Sequence, residues 1–249
     1  IQTKGWELAI DYRHTFKNGL HFGVTASVAD DKTEVTKWTY NTKIPSYGAT
    51  GWWDKSAYKE GMVLGDIWGL QFDRFLTEDD FNADGSLKAG LPDQTKVFPA
   101  GYQFAPGDVL YKDLDNNGEI VKQTNTNDKG DLSVIGNALP RLQFGLNLDA
   151  AWKGFDISMF FQGVAKRKLW AAGNQVLPGF TTGEPFYKGA EDYWTPENTD
   201  AFYPRPMDYK QSASGNYSVN DRYLLNMAYL RLKTFTVGYS LPKVWLSKF

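Results

Sequence analysis

The feature that most constrains this chain is a set of long alternating strands joined by connections of very unequal length. Trp6, Leu8, Ile10 and Tyr12 fall on one side of a period-two stretch, with Glu7, Ala9, Asp11 and Arg13 on the other, which marks a strand. Lys17-Asn18-Gly19 supplies a hairpin turn. Leu20, Phe22, Val24, Ala26 and Val28 then alternate with small or polar residues. The pattern returns with Leu142, Phe144, Leu146, Leu148 and Ala150, turns at Trp152-Lys153-Gly154, and continues through Phe155, Ile157, Met159 and Phe161. A fifth strand covers Tyr229 to Leu241 and stops at Pro242; its apolar phase slips between Leu232 and Phe235, which predicts a bulge or a membrane boundary there. Each alternation runs for about nine residues, the length a tilted strand needs to cross a bilayer.

Strands are thus expected at about 4–14, 20–30, 141–151, 155–163 and 229–241, with long polar connections at about 31–140 and 164–228. Compact soluble domains seldom carry connections of that length, whereas outer-membrane barrels pair short periplasmic turns with long external loops. The expected fold is therefore all-β, an antiparallel transmembrane β-barrel with long extracellular loops. A soluble β-sandwich would show turns about every 8–12 residues, which this chain does not.

Composition excludes other classes. The net charge of −2 leaves no basic excess to neutralise nucleic-acid phosphates. Cysteine is absent, which removes disulfides, thiolate metal sites and a Cys nucleophile. No apolar run is long enough for a membrane-spanning helix, and barrel strands need none. The aromatic content of 16% suits lipid-interface girdles or sugar-stacking surfaces. Trp6, Tyr12, Phe16, Trp152 and Phe155 are read as a periplasmic girdle near the short turns.

Six stretches in order resemble the C-terminal half of the SusC/RagA family of TonB-dependent transporters. KGWELAIDYRH (Lys4–His14) resembles the family's recurrent "KGWE" strand. EGMVLGDIWGLQFDRFL (Glu60–Leu76), PGDVLYKDLDNNGEI (Pro106–Ile120) and the strand pair from Val134 to Gly163 are similar to later family segments. YWTPENTDAFYPRP (Tyr193–Pro206) and YLRLKTFTVGYSLP (Tyr229–Pro242) complete the set. The resemblance implies part of a barrel of roughly 22 strands, with the plug domain and the final strands lying outside this chain. It also implies import of oligosaccharides or peptides across a bacterial outer membrane, energised by the TonB complex and assisted by a SusD-like surface lipoprotein. The competing reading is a secreted, calcium-stabilised carbohydrate-binding β-domain, supported by the aromatic content and the Asp-rich loop.

No catalytic constellation emerges, so an enzyme is not expected. His14 and His21 flank the first turn and read as interface or lumen polar residues. The sharpest candidate site is DLDNNGEI, where Asp113, Asp115 and Asn117 occupy positions 1, 3 and 5 of a calcium loop. Gly118 holds the turn position, and Glu119 would contribute its carbonyl at position 7. Thr124 stands where the bidentate acid belongs, leaving Asp128 or Asp131 to supply the missing carboxylate. An Asx-rich turn closed by its own hydrogen bonds is the alternative. DFNADGSL, with Asp80, Asn82 and Asp84, is a weaker echo read as a turn. Trp52, Trp53, Trp68, Tyr102, Trp170, Tyr193 and Trp194 are the loop aromatics that could meet a ligand or a partner, or build local cores. Lys166, Arg167 and Lys168 could meet anionic lipopolysaccharide of the outer membrane, or form a solvated face.

Overall fold

The computed structural model describes residues 1–38, 60–122, 129–171, 173, 175–179, 187–207 and 215–242. The strands, in chain order, are β1 (Gln2–Thr15), β2 (His21–Glu34), β3 (Asp66–Gly69), β4 (Phe72–Phe75), β5 (Val109–Tyr111) and β6 (Ser133–Asn137). They continue with β7 (Arg141–Trp152), β8 (Phe155–Lys166), β9 (Lys168–Leu169), β10 (Leu225–Asn226) and β11 (Tyr229–Tyr239). The described residues contain no α-helix, only a single 3-10 turn at Glu78–Asp80. The chain divides into two units, an extended sheet and a body built from the two long connections.

The first unit is an antiparallel sheet in the order β1-β2-β7-β8-β11. Its register turns the sequence alternation into rows. Leu8 opposes Val28, which opposes Phe144; Ile10, Ala26, Leu146, Phe161 and Leu232 form the next row; Tyr12, Val24, Leu148, Met159 and Phe235 form a third. One face is thus apolar across all five strands. On the opposite face Asp11, Thr25, Asn147, Phe160 and Thr234 share a row, as do Arg13, Gly23, Asp149, Ser158 and Thr236. The Thr25 hydroxyl donates to Asp11 at 2.6 Å on this polar face. Gly23 has no side chain because a Cβ there would sit 2.5 Å from the Asp149 carboxylate, and Gly238 makes the same allowance for Asp156.

The apolar rows lie open: Leu8 is 52%, Ile10 58% and Leu230 66% exposed. A large aliphatic side chain left in water forgoes about 1.5–3 kcal/mol, so a face of this width needs an apolar surrounding.

The two short turns differ. Trp152 pairs directly with Phe155, and Lys153 (φ 49°) with Gly154 (φ 89°) both take the left-handed conformation, as a two-residue type I′ hairpin requires. The first turn is longer, spanning Phe16 to Leu20, with Gly19 at φ 82° donating to the Phe16 carbonyl. The expected slip in β11 is a register shift between Leu232 and Thr234, leaving Lys233 as the extra residue against β8. Trp6 departs from its expected place in a girdle by the short turns. It pairs with Asp30, nine residues from Thr15, which puts it at the opposite end of the sheet at about 3.4 Å per residue. Tyr12, Phe16, Trp152 and Phe155 do gather toward the turns, where the Trp152 indole donates to the Asn18 carbonyl at 3.2 Å.

The second unit shows that the long connections are not structureless. β3 pairs with β6 and β4 with β5. Leu70, Phe75, Val97, Phe98, Val109, Tyr111, Ile120, Leu132 and Trp194 pack into one core, and Trp170, Leu177, Tyr217 and Tyr223 into another. The two connections are stitched together inside this body. The Leu70 amide donates to the Val219 carbonyl at 2.9 Å, and the Tyr111 hydroxyl to the Gly215 carbonyl at 2.8 Å. At its centre Asp108 is fully buried, accepting from Arg205 Nε (2.8 Å), the Tyr102 hydroxyl (2.8 Å), Asn216 Nδ2 (3.0 Å) and the Ala105 amide (2.9 Å).

Candidate functional site

The acidic loop follows β5 directly. Asp113 accepts the Asn116 amide at 2.7 Å on one oxygen and the Gly118 amide at 2.8 Å on the other, which curls the chain into a tight loop. Gly118 at φ 86° and Asn116 at φ 59° supply the left-handed residues that this curl needs. Asp93 pins the far side, donating its amide to the Gly118 carbonyl and accepting the Ile120 amide at 2.7 Å. Asp131, seventeen residues after Leu114, folds back and accepts both the Leu114 and Val121 amides at 2.8 Å.

These contacts bring carboxylate oxygens of Asp113, Asp115 and Asp131 within 4.8 Å of one another, a grouping that could hold a hard cation. The electrostatics reflect the crowding. Partial burial pushes the Asp113 carboxyl up, but the amides of Gly118 and Asn116 outweigh it and hold it below the ordinary carboxylate range. Asp115 is shifted upward, by partial burial first and by the neighbouring Asp113 and Asp131 charges. Of the two late acids weighed for the missing ligand, Asp131 arrives at the loop; Asp128, like Thr124, lies outside the described residues. Asn117 donates to Asp115 at 3.0 Å, so its side chain is engaged within the loop. The Glu119 carboxylate pairs with Lys96, which leaves its carbonyl for the role the spacing assigns.

The weaker echo is accounted for without a cation. Arg74 clamps Asp80 at 2.6 and 2.7 Å, holding that carboxyl down at about 2, while Asp84 closes an Asx turn onto Ser86.

The loop aromatics separate by burial. Trp170 and Trp194 are 3% and 7% exposed and serve as core, so neither offers a stacking face. Trp68 packs against the first core, and Tyr102 joins Phe98 and Phe104 in an aromatic cluster with ring centres about 5 Å apart. Trp52 and Trp53 lie outside the described residues. Tyr193 is 40% exposed and lines a pocket of about 480 Å³ with Tyr187, Lys188, Ala190, Glu191 and Pro206. Tyr187 had no sequence signal to single it out, whereas Tyr193 and Pro206 are the two ends of the Tyr193–Pro206 motif.

No protein-family model matches the chain. Over its whole length the chain is 25% identical to TonB-dependent receptor P3 of Formosa agariphila, and over 97% of its length 34% identical to TonB-dependent receptor P26 of the same organism. It spans 22% of each of these relatives, about a fifth of their length. Among solved structures, 98% of the chain superposes on the RagAB peptide transporter with a TM-score of 0.62, and on the RagAB peptide importer in its closed-closed state with 0.60. Both are 15% identical to it and are covered over 23% of their chains. The chain is similar in sequence to a segment of TonB-dependent receptors and in fold to RagAB. In the structure the "KGWE" motif is the first half of β1, and the Pro106–Ile120 motif is β5 with the acidic loop. The Tyr229–Pro242 motif is β11 and its end.

Proposed function

We propose that this chain supplies wall, lumen lining and external loops of an outer-membrane TonB-dependent importer of oligosaccharides or peptides that works with a SusD-like lipoprotein. The observation that carries the reading is the five-stranded sheet with one unbroken apolar face and one polar face. In a bilayer the first meets lipid and the second lines an aqueous interior. The edges β1 and β11 carry unpaired backbone groups that hydrocarbon does not tolerate, which favours closure by further strands into a barrel. Short turns at one end and long connections at the other favour a periplasmic turn end and an extracellular loop body. The names of the solved neighbours favour a peptide cargo, and the pocket at Tyr187 and Tyr193 is equally suited to a sugar face. The soluble carbohydrate-binding alternative would leave the apolar face in water.

The complete receptor is expected to require detergent, to migrate faster on gels before heating than after, and to support uptake of a labelled oligosaccharide or peptide only in cells with TonB. Uptake that persists without TonB would overturn the energised importer and leave a passive porin.

We further propose that the acidic loop takes one calcium ion through Asp113, Asp115, Asp131 and the Glu119 carbonyl. The support is the convergence of three carboxylates and the upward shift of Asp115, both of which a divalent cation would relieve. With free calcium about a hundredfold above its Kd, the loop body is expected to gain about 2.7 kcal/mol. Hydrogen exchange of peptides covering residues 113–121, with calcium and with chelator, measures it. Identical protection in both, or an unchanged calcium response in Asp131→Asn, would return the loop to a self-closed Asx turn.

A further inference from the structure

Beyond the apolar rows, at the end of the sheet that carries the long connections, the same face changes character. Trp6 and Asp30 form the row after Leu8 and Val28, and Lys4 then stands directly opposite Lys32. Like charges directly opposed across two strands destabilise a sheet unless something neutralises them. The register here is fixed on the other face, where the Thr3 and Thr33 hydroxyls are 2.8 Å apart, so the lysines do not slip past each other. Their neighbours offer little relief. Asp30 is taken by Arg141, which reaches both of its oxygens at 2.6 and 2.7 Å. Among the described residues the only carboxylate paired with Lys32 is Glu34 at 3.8 Å, with both side chains about half exposed. Lys4 has no carboxylate within ion-pair distance among the described residues.

The wider rim agrees. Residues 1–6, 30–34, 139–142 and 165–168 of the sheet hold six Lys or Arg against three acids. At the turn end, residues 11–23 and 149–156 hold three of each. A chain of net charge −2 has therefore concentrated positive charge at one level of the sheet, with Lys4 and Lys32 on its apolar face and Lys166 on the other. That level is where the headgroups of a bilayer would lie if the apolar rows span its core, with Trp6 at the boundary as interfacial indoles prefer.

We propose that this rim docks the phosphate of an anionic lipid headgroup between Lys4 and Lys32, with Lys166, Arg167 and Lys168 supplying the surrounding positive potential. The proposal rests on the membrane reading above. It assigns the two opposed lysines a partner: their stems lie along the sheet while their ammonium groups share one anion.

Native mass spectrometry of the complete receptor during exchange from detergent tests it, with phosphatidylglycerol, phosphatidylcholine and inorganic phosphate as probes. Phosphatidylglycerol is expected to be retained over phosphatidylcholine, and the K4Q/K32Q variant to bind it about thirtyfold more weakly at low salt. The single variants K4Q and K32Q, each expected to lose about fivefold, keep the test open if the double variant does not fold. K17Q, at the turn end, is expected to bind like the parent. Unchanged phosphatidylglycerol binding in the lysine variants overturns the proposal, as does equal competition by inorganic phosphate, which would make the site one for free anions. A receptor that retains lipid without anionic preference sinks this site alone. One that stays folded with neither lipid nor detergent sinks the membrane reading beneath it.

Discussion

Leu146→Arg is expected to destabilise the sheet by about 2–4 kcal/mol, the cost of a cation at mid-depth on the lipid side of a transmembrane strand. Leu146 lies near the middle of β7, with Ala26 on one side and Phe161 on the other, in a row that is apolar from Ile10 to Leu232. The neighbouring residue provides the control. Asn147 projects to the other face between Thr25 and Phe160, close to Asp149 at 3.4 Å, so Asn147→Arg places the same charge among polar groups and is expected to cost far less. Refolding the complete receptor into vesicles over a urea series, scored by heat-modifiable migration, gives both numbers. Equal costs for the two variants would mean that the two faces meet the same solvent, and the assignment of one of them to lipid would fall.

Asp108→Ala is expected to cost about 3–5 kcal/mol, because it removes one member of a buried ion pair and leaves the rest unmet. Asp108 is completely buried, and its loss strands the Arg205 guanidinium together with donors from Tyr102, Asn216 and the Ala105 backbone. The damage should stay in the loop body, whose cores are its own. Hydrogen exchange is the suitable probe: peptides covering residues 93–122 and 215–223 should exchange faster, while those from β7 and β8 keep their protection. Replacing both partners, Asp108→Ala with Arg205→Met, should recover part of the loss, since no uncompensated charge then remains. If the double variant is no better than the single one, the network acts through Tyr102 and Asn216 and not through the ion pair.

The sheet was legible because its rule is local. A period of two, a turn residue and a strand length can be read from neighbouring letters, and so could the slip at Lys233, where the apolar phase jumps. Trp6 shows the limit of a local rule: an aromatic near a strand end suits a girdle at either end, and only the pairing with Asp30 says which. The loop body was opaque for a different reason. Its contacts join residues with no periodic relation, such as Arg205 with Asp108 or Leu70 with Val219, and only the folded chain shows that Trp170 and Trp194 are core. The acidic loop lay between these cases. Spacing identified Asp113 and Asp115, but the choice between Asp128 and Asp131 depended on how the chain returns, and the return is set by the Leu114 and Val121 amides.

The stitching of the two connections has a bearing on the order of assembly. β1 with β2 and β7 with β8 are hairpins whose contacts close within a few dozen residues, so they can form soon after synthesis. The body cannot. Val109 and Tyr111 await Asn216 and Gly215, more than a hundred residues later, and until that segment is present their hydrogen bonds are unmade and Trp170 and Leu177 lack Tyr217 and Tyr223. A chain arrested before residue 215 would therefore carry four strands of the sheet and an unfinished second unit exposed to proteases. Four strands of the sheet are drawn from local sequence, and the loop body is completed only once residues 215–223 are present.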